Sequence, residues 1–505
     1  MSINQTVTDF RNYMERISMF HQAMGIIYFD ASTVAPKGGV EQRAKRSGFF
    51  GLEIHNMYIS DTMKKFLDDL APELQNLDQD IKAMHRIVKK RYDSATKIPP
   101  DLVKAFAELR AEANAVWETA KQNNDFKAFA PYLVRLVEMK KKTLEYRTDE
   151  IPKGGVPYDV LLDDFEEDMT VEKYDKFFGG LKEIVVPLIK KVLASEKKID
   201  TSFVNLKVDV ETQRRISAFI AEKVGYDLSR GYICEAEHPF CAGADSTDVR
   251  ITTHYYEDDF MSSLYSVLHE CGHGIYEQGV GEDIAGTYLG SGGSSGLHES
   301  QSRFIENILG RSLTFWESIT DELKAILPKE FSHVTPQMFF EASNIVKNSL
   351  IRIEADELTY SLHVILRYEI EKMLFSGSCT VDELPAIWNQ KYQDYLGITP
   401  PTDTLGVLQD IHWSEALFGY FPTYALGSAY AAQFYSYMQK DFDVDAAMRK
   451  GEFVKIKNWL GEKIHKHGTL FTTDQIMQKE FGELLDVKYF AKYLNDKYSA
   501  IYELN

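Results

Sequence analysis

A mainly helical, all-α architecture carrying one small β element follows from three features of the sequence. Most of the chain repeats its apolar residues at helical spacing, the breakers between those stretches are short, and a single segment alternates with period two instead. Leu102, Ala105, Phe106, Leu109, Ala113 and Val116 recur at steps of three and four, which makes one core-facing stripe. Comparable stretches occupy 5–35, 60–92, 124–147, 171–195, 211–225, 337–375 and 427–439. The breakers are IPPD (98–101), IPKGGVP (151–157) and GITPPTD (397–403). None has the length or low complexity of a linker, and no internal repeat is present. The sequence therefore predicts one large unit over 1–505.

The segment TDVRITTHYY (247–256) sets Val249, Ile251, Thr253 and Tyr255 against Asp248, Arg250, Thr252 and His254. That alternation of β-branched residues predicts a strand. Paired with a neighbour as a small antiparallel element, it would offer a free edge, to which an extended peptide can add by main-chain hydrogen bonds. A purely structural hairpin is the equally weighted reading.

Bulk composition narrows the function classes. With 44% hydrophobic and 12% aromatic residues the chain can bury a large core. A net charge of −19 argues against a nucleic-acid or anionic-membrane partner, both of which need a basic face. No apolar run reaches the roughly 18 residues of a membrane span. The first residues, MSINQTVTDFRNYMERIS, have no apolar core of a signal peptide. Four cysteines without framework spacing point to reduced thiols and a cytoplasmic protein.

Chemistry concentrates at VLHECGHGIYEQG (267–279). Phe260, Leu264, Val267, Leu268 and Ile275 form an apolar stripe behind the acidic Glu257, Asp258 and Asp259, which predicts a helix over 258–277. On it His269 and His273 stand at i and i+4, close enough to share one tetrahedral ion. Glu270 is rotated about a quarter-turn away, beside the ion, where a general base for metal-activated water belongs. Gly272 and Gly274 cost the helix about 1 kcal/mol each relative to Ala, which implies a close backbone approach there. Cys271 faces away from the ligands and reads as a small core residue. A second helical run begins at GLHESQ (296–301), and its Glu299 completes a two-His, one-Glu set with a position left for water, the ligand set of catalytic zinc. The intervening GSGGSSG (290–296) has neither the preceding strand nor the following Lys-Ser/Thr of a phosphate-cradling loop, and reads as backbone packed against the site.

His-Glu-x-x-His on a helix is a metallopeptidase pattern, and most such enzymes cut inside a chain, so terminal specificity needs separate evidence. Arg352, Asp356, Thr359 and His363 fall at i, i+4, i+7 and i+11, a polar line on a helix bordered by Ile351, Ile353, Leu358, Leu362, Val364 and Ile365. Arg352 suits a peptide's terminal carboxylate, and an internal Arg352–Asp356 ion pair is the competing reading. Further on, His412, Tyr420 and Tyr424 lie in an aromatic segment broken by Gly419 and Pro422, and are candidate donors to an oxyanion. An aromatic cluster of this kind is also ordinary core.

These residues resemble the carboxypeptidase Taq family of metallocarboxypeptidases over nearly the full length of the chain. The matching blocks are YDVLLDDFE (158–166), HPF (238–240), DVRIT (248–252), HECGH (269–273), HESQ (298–301), IRIEAD (351–356) and GVLQDIHW (406–413). The resemblance implies an all-α zincin fold with a deep cleft, like that of neurolysin and angiotensin-converting enzyme, and N-terminal helices (about 1–100) that act as a lid. It implies a single divalent metal (Zn2+, with Co2+ as the alternative) held by His269, His273 and Glu299, with Glu270 as base and acid. His238, Asp248, Arg250 and Arg352 would hold the substrate's end, and the protein would be a homodimer acting on peptides with a free C-terminus. Where many members have a Trp-Asp pair, this chain has Phe29-Asp30. The competing functions are a neurolysin-like oligoendopeptidase and a helical scaffold that keeps a structural metal, which would require a fourth protein ligand.

Overall fold

The computed structural model describes residues 2–504. The chain forms two compact units, each assembled from three sequence segments. The first contains the residues up to Thr96, Ile199–Ser343 and Phe434–Leu484; the second contains Lys97–Lys198, Asn344–Gln433 and the residues from Leu485 onward.

In the first unit, helices Ile3–Ser32, Val40–Tyr58, Asp61–Leu70 and Gln79–Lys97 enclose a core of Phe10, Met14, Ile17, Met63, Leu70 and Ile81. The predicted stretch 60–92 is two helices, because Pro72 falls in a tight 3-10 turn (Ala71–Asn76) between them. The helix predicted over 258–277 runs Phe260–Gln278, with the Asp259 carboxylate accepting from the Ser262 amide as its cap. It is buried on nearly every side, with strand, helix and loop packed around it.

The predicted strand is present as Val249–Thr253, but its setting differs from the expectation. It is the central strand (β3) of a three-stranded sheet, flanked by β1 (Gly231–Glu235) and β2 (Cys241–Gly243). Pairing with β2 is antiparallel and with β1 parallel, so the sheet is mixed rather than antiparallel. Both edges of β3 are therefore occupied, and the free edge foreseen for it is absent. The short β2 lies within HPFCAGADS, whose Gly and Pro content hides it from sequence patterning. Both faces of β3 are covered too: Ile251 meets the motif helix at Gly274, and Arg250 lies 5.2 Å over the Phe29 ring of the first helix.

The second unit is built around helix Glu357–Ser376, which buries residues on all its faces, among them Leu362, Ile365, Leu366 and the whole of Arg367. Tyr174, Phe178 and Tyr368 pack ring against ring, and Trp388 stacks on Tyr392. The continuous helix expected over 337–375 is broken: Pro336–Ser343 ends, and Glu357 begins the next α-helix. Asp356 explains the break, since its carboxylate accepts from the amides of Leu358 and Thr359 and from that of Lys347, and so acts as a cap. Arg352 consequently sits in a 3-10 turn (Arg352–Glu354) and not on a polar line up a helix.

The two motif glycines make the close contacts that their cost implied. A Cβ on Gly272 would stand 2.4 Å from the Gln301 carbonyl oxygen and 2.5 Å from Ser302 Cα, backbone atoms that cannot rotate away. Gly51, inside helix Val40–Tyr58, has nothing within 4 Å of the same position. Thermal unfolding of single variants should thus move in opposite directions. Gly51→Ala gains up to about 1 kcal/mol of helix propensity. Gly272→Ala loses about 1–3 kcal/mol to overpacking. A stabilised Gly272→Ala would show that helix Phe260–Gln278 and helix Ser295–Arg303, which carries Gln301 and Ser302, are not in backbone contact.

A candidate metal centre

His269 and His273 project from one face of the motif helix, and Glu299 reaches them from helix Ser295–Arg303, which packs against Gly272. The nearest ligand atoms of the three residues all lie within 4.8 Å of one another. Glu299 Oε2 is 3.8 Å from His269 Nε2 and 3.6 Å from His273 Nε2. These spacings suit atoms that face one central cation rather than bond to each other.

The surroundings set the electrostatics. His269 Nδ1–H donates to Glu306 Oε2 at 2.8 Å, which leaves Nε2 for the ion. Glu306 also accepts from Arg311 at 3.0 Å and Arg303 at 3.3 Å, and Arg303 Nε donates to Glu299 Oε1 at 2.7 Å. Burial favours a neutral Glu306, but Arg303, His269 and Arg311 outweigh it and hold the carboxyl far below its usual range. Burial likewise disfavours a charged His269, yet Glu299 and Glu306 raise it to about 9, a measure of how strongly the site attracts positive charge. His273 goes the other way, pushed well below its usual value by burial and then by its neighbours His298 and His269. Glu270, Glu277, Glu299 and Glu306 outnumber the guanidiniums of Arg303 and Arg311 around the two motif histidines, surroundings that favour a bound cation.

Glu270 fits the part of a base. It is 4% exposed, and its Oε2 is buried without a hydrogen-bond partner. Burial, with Glu299 and Glu306 adding repulsion, raises it to about 7. Cys271 is buried in the core, as its position on the helix implied. The GSGGSSG loop does pack against the site: the Gly292 amide donates to Glu277 Oε1 and the Gly293 amide to the Tyr276 hydroxyl.

The other candidates gather in two groups. Within the first unit, Arg250 forms a bidentate pair with Asp248 at 2.6 and 2.7 Å, and they help line a cavity of about 870 Å³ with Arg43, Arg46 and Arg230. His238 is exposed in the link between β1 and β2. Phe29, in the Phe-Asp pair, is buried edge-on against Phe240. Within the second unit, Arg352, His412, Tyr420 and Tyr424 form one cluster. Arg352 does not pair with Asp356; it donates to Asp410 Oδ1 at 3.0 Å and to the Tyr360 hydroxyl at 3.2 Å. Its guanidinium lies 4.9 Å over the Tyr424 ring and 5.0 Å over Phe421. His412 Nε2 is 3.3 Å from the Tyr424 hydroxyl, its ring stacks on Tyr420, and its Nδ1 is buried without a partner. Burial and Arg367 lower His412 to about 3, so it is a neutral imidazole near pH 7.

Four participants escaped the sequence reading: Glu306, Arg303, Glu277 and His298. Glu299, Arg303 and Glu306 are spaced i, i+4 and i+7, a charged line on a run otherwise apolar, and that was the available signal. It is obscured because the helix widens into a π-turn at Phe304–Leu309, a feature frequent at functional sites and invisible to a 3.6-residue period.

Comparison with known proteins gives the chain's family. The family model described as carboxypeptidase Taq (M32) metallopeptidase matches residues 9–498. Carboxypeptidase 1 of Bacillus subtilis is 43% identical over 505 residues, covering all of both chains. Thermostable carboxypeptidase 1 of Thermus thermophilus is 37% identical over 94% of each. The crystal structure of the M32 carboxypeptidase from Deinococcus radiodurans R1 superposes with a TM-score of 0.94 at 32% identity, covering 99% of this chain and 100% of that one. The chain belongs to the carboxypeptidase Taq (M32) family of metallopeptidases and is a metallocarboxypeptidase.

Proposed function

We propose that the protein releases single amino acids from the free C-terminus of peptides, with broad side-chain specificity, at one zinc site formed by His269, His273 and Glu299. The observation that carries this reading is the three-ligand cluster with the unpartnered Glu270 oxygen beside it. Two imidazoles and one carboxylate with an open position form the catalytic set of zinc, and cobalt accepts the same donors. A cation bound there supplies Lewis acidity towards the scissile carbonyl and its attacking water.

The chain's own residues do the rest. Glu270 takes the proton of the attacking water and returns it to the leaving amine. His412, neutral, and the Tyr420 and Tyr424 hydroxyls are the candidate donors to the oxyanion. Arg352 receives the terminal carboxylate, and Arg250, with His238 and Asp248, orients the last residues. The same reading extends to a zincin fold of the neurolysin and angiotensin-converting-enzyme kind, with the helices of about 1–100 as a lid and 1–505 acting as one catalytic domain; the uninterrupted family match over 9–498 supports that extent. A homodimer rests on the family resemblance alone. A cytoplasmic location is supported by four free cysteines, and no helix among the described residues is long and apolar enough to cross a membrane.

One assay tests the bond that is cut. A peptide with a free carboxylate and its C-terminal amide are incubated with metal-loaded protein, with and without chelator, and products are read by mass. Stepwise loss of terminal residues from the free peptide only, abolished by chelator, is the expected result; equal cleavage of the amide would identify an oligoendopeptidase. Glu270→Gln should keep its metal while kcat falls about 10²- to 10⁴-fold. If substantial activity survives in the metal-loaded variant, Glu270 is not the base. Arg352→Ala should lower kcat/KM for free-carboxylate substrates about 10- to 150-fold, the worth of one charged hydrogen bond. The residual slow turnover of the amidated peptide should fall no further, and an equal fold-loss on both substrates would assign Arg352 a purely structural part.

A further inference from the structure

The contacts around His273 specify where its protons are. Glu277 Oε1 lies 2.7 Å from His298 Nε2 and also accepts from the Gly292 amide at 3.0 Å. A carboxylate oxygen only accepts, so His298 Nε2 carries a hydrogen. In a neutral imidazole the other nitrogen, Nδ1, is then a bare acceptor. That nitrogen is 2.6 Å from His273 Nδ1, and a contact so short requires one hydrogen between them. With His298 in that tautomer the hydrogen is supplied by His273 Nδ1, which leaves the His273 Nε2 lone pair free on the side of Glu299.

The reverse arrangement would put the hydrogen on His273 Nε2 and remove it from the ligand set. Two further observations show that the ring of His298 is seated deliberately. A Cβ on Gly292 would fall 2.5 Å from His298 Cδ2, so only glycine leaves room for the imidazole. The Tyr276 ring lies 5.1 Å away on a helix position one residue before Glu277, and its hydroxyl accepts from the Gly293 amide. The GSGGSSG loop thus serves as a mould for this histidine.

We propose that Glu277 and His298 are positioning residues which fix His273 in the tautomer that ligates through Nε2, and so set the metal affinity of the centre. The inference rests on the metal-centre reading above. It predicts that the relay acts on affinity and coordination geometry and not on folding of the apoprotein. The loss of such an outer partner weakens metal binding about 10- to 100-fold.

The test measures the dissociation constant for Zn2+ by competition with a chromophoric chelator, and the visible absorption of the Co2+-substituted protein, on full-length variants. His298→Phe removes the acceptor and should weaken Zn2+ about 10- to 100-fold and change the Co2+ bands. His298→Asn places an amide oxygen near Nδ1 and should restore most of the affinity. Glu277→Leu should weaken binding in the same direction as His298→Phe, and Glu277→Gln, which keeps an acceptor for His298 Nε2, should weaken it less. If His298→Phe does not fold, as judged by circular dichroism and melting, the Glu277 pair carries the comparison. Unchanged affinity in His298→Phe or Glu277→Leu overturns the relay, and so does equal weakening in His298→Phe and His298→Asn. Failure of the underlying metal reading looks different: His269→Ala would then bind Zn2+ as tightly as the unaltered protein.

Discussion

Buried negative charge is the constraint from which the site's construction follows. Glu270, Glu299 and Glu306 converge on the two motif histidines with Glu277 one step behind, in a region from which water is largely excluded. Carboxylates so placed must be paired, protonated or given a cation. The first two responses are visible within one cluster, and the proposed metal would be the third. Arg303 and Arg311 pair with Glu306, burial raises Glu270 towards neutrality, and the remaining deficit faces His269, His273 and Glu299. Each response would have a separate consequence under the proposed function: a rigid ligand orientation, a proton acceptor near physiological pH, and a place for a divalent ion.

The second unit solves a similar problem without metal ligands. Arg352, Arg367 and Glu371 are buried with the part-buried Asp410 beside both guanidiniums, and Glu371 is held by the Tyr158 hydroxyl, the Trp413 indole and the Gly419 amide. Arg367 lies 3.9 Å over the Trp413 ring, with its guanidinium nitrogens 3.7 Å from both carboxylates. Such a network leaves Arg352 oriented and already provided with one anionic partner. A substrate carboxylate arriving there would meet a guanidinium whose desolvation cost had been met during folding.

Much of this was legible in the sequence because it depends on local periodicity. The i, i+4 histidines, the base beside them and the two costly glycines specify a helix, a face and a close neighbour, and the structure has all three. Glu299 was found by the same logic of apolar spacing. What could not be read depends on contacts between distant segments or on departures from ideal period. Asp356 was placed on a helical line with Arg352, since spacing alone does not distinguish a helix interior from a cap; only Asp410, far along the chain, shows where Arg352 points. Strand β3 was recognised, but its partners were not, because β2 is three residues long and rich in small side chains. Glu306 was hidden by a π-turn, and His298 by the fact that its role lies in a hydrogen bond to another ring.

The backbone contact at Gly272 has one more consequence. The proposed ligands come from two helices that touch there, His269 and His273 from one and Glu299 from the other, with a glycine-rich loop between them. An ion held by the proposed ligands would be a cross-link that closes this loop, in the manner of a disulfide but reversible by pH or chelation. Occupancy of the centre would then become part of the protein's resistance to unfolding, rising with free metal concentration by mass action. The same three side chains would govern both how fast the enzyme works and how long it lasts.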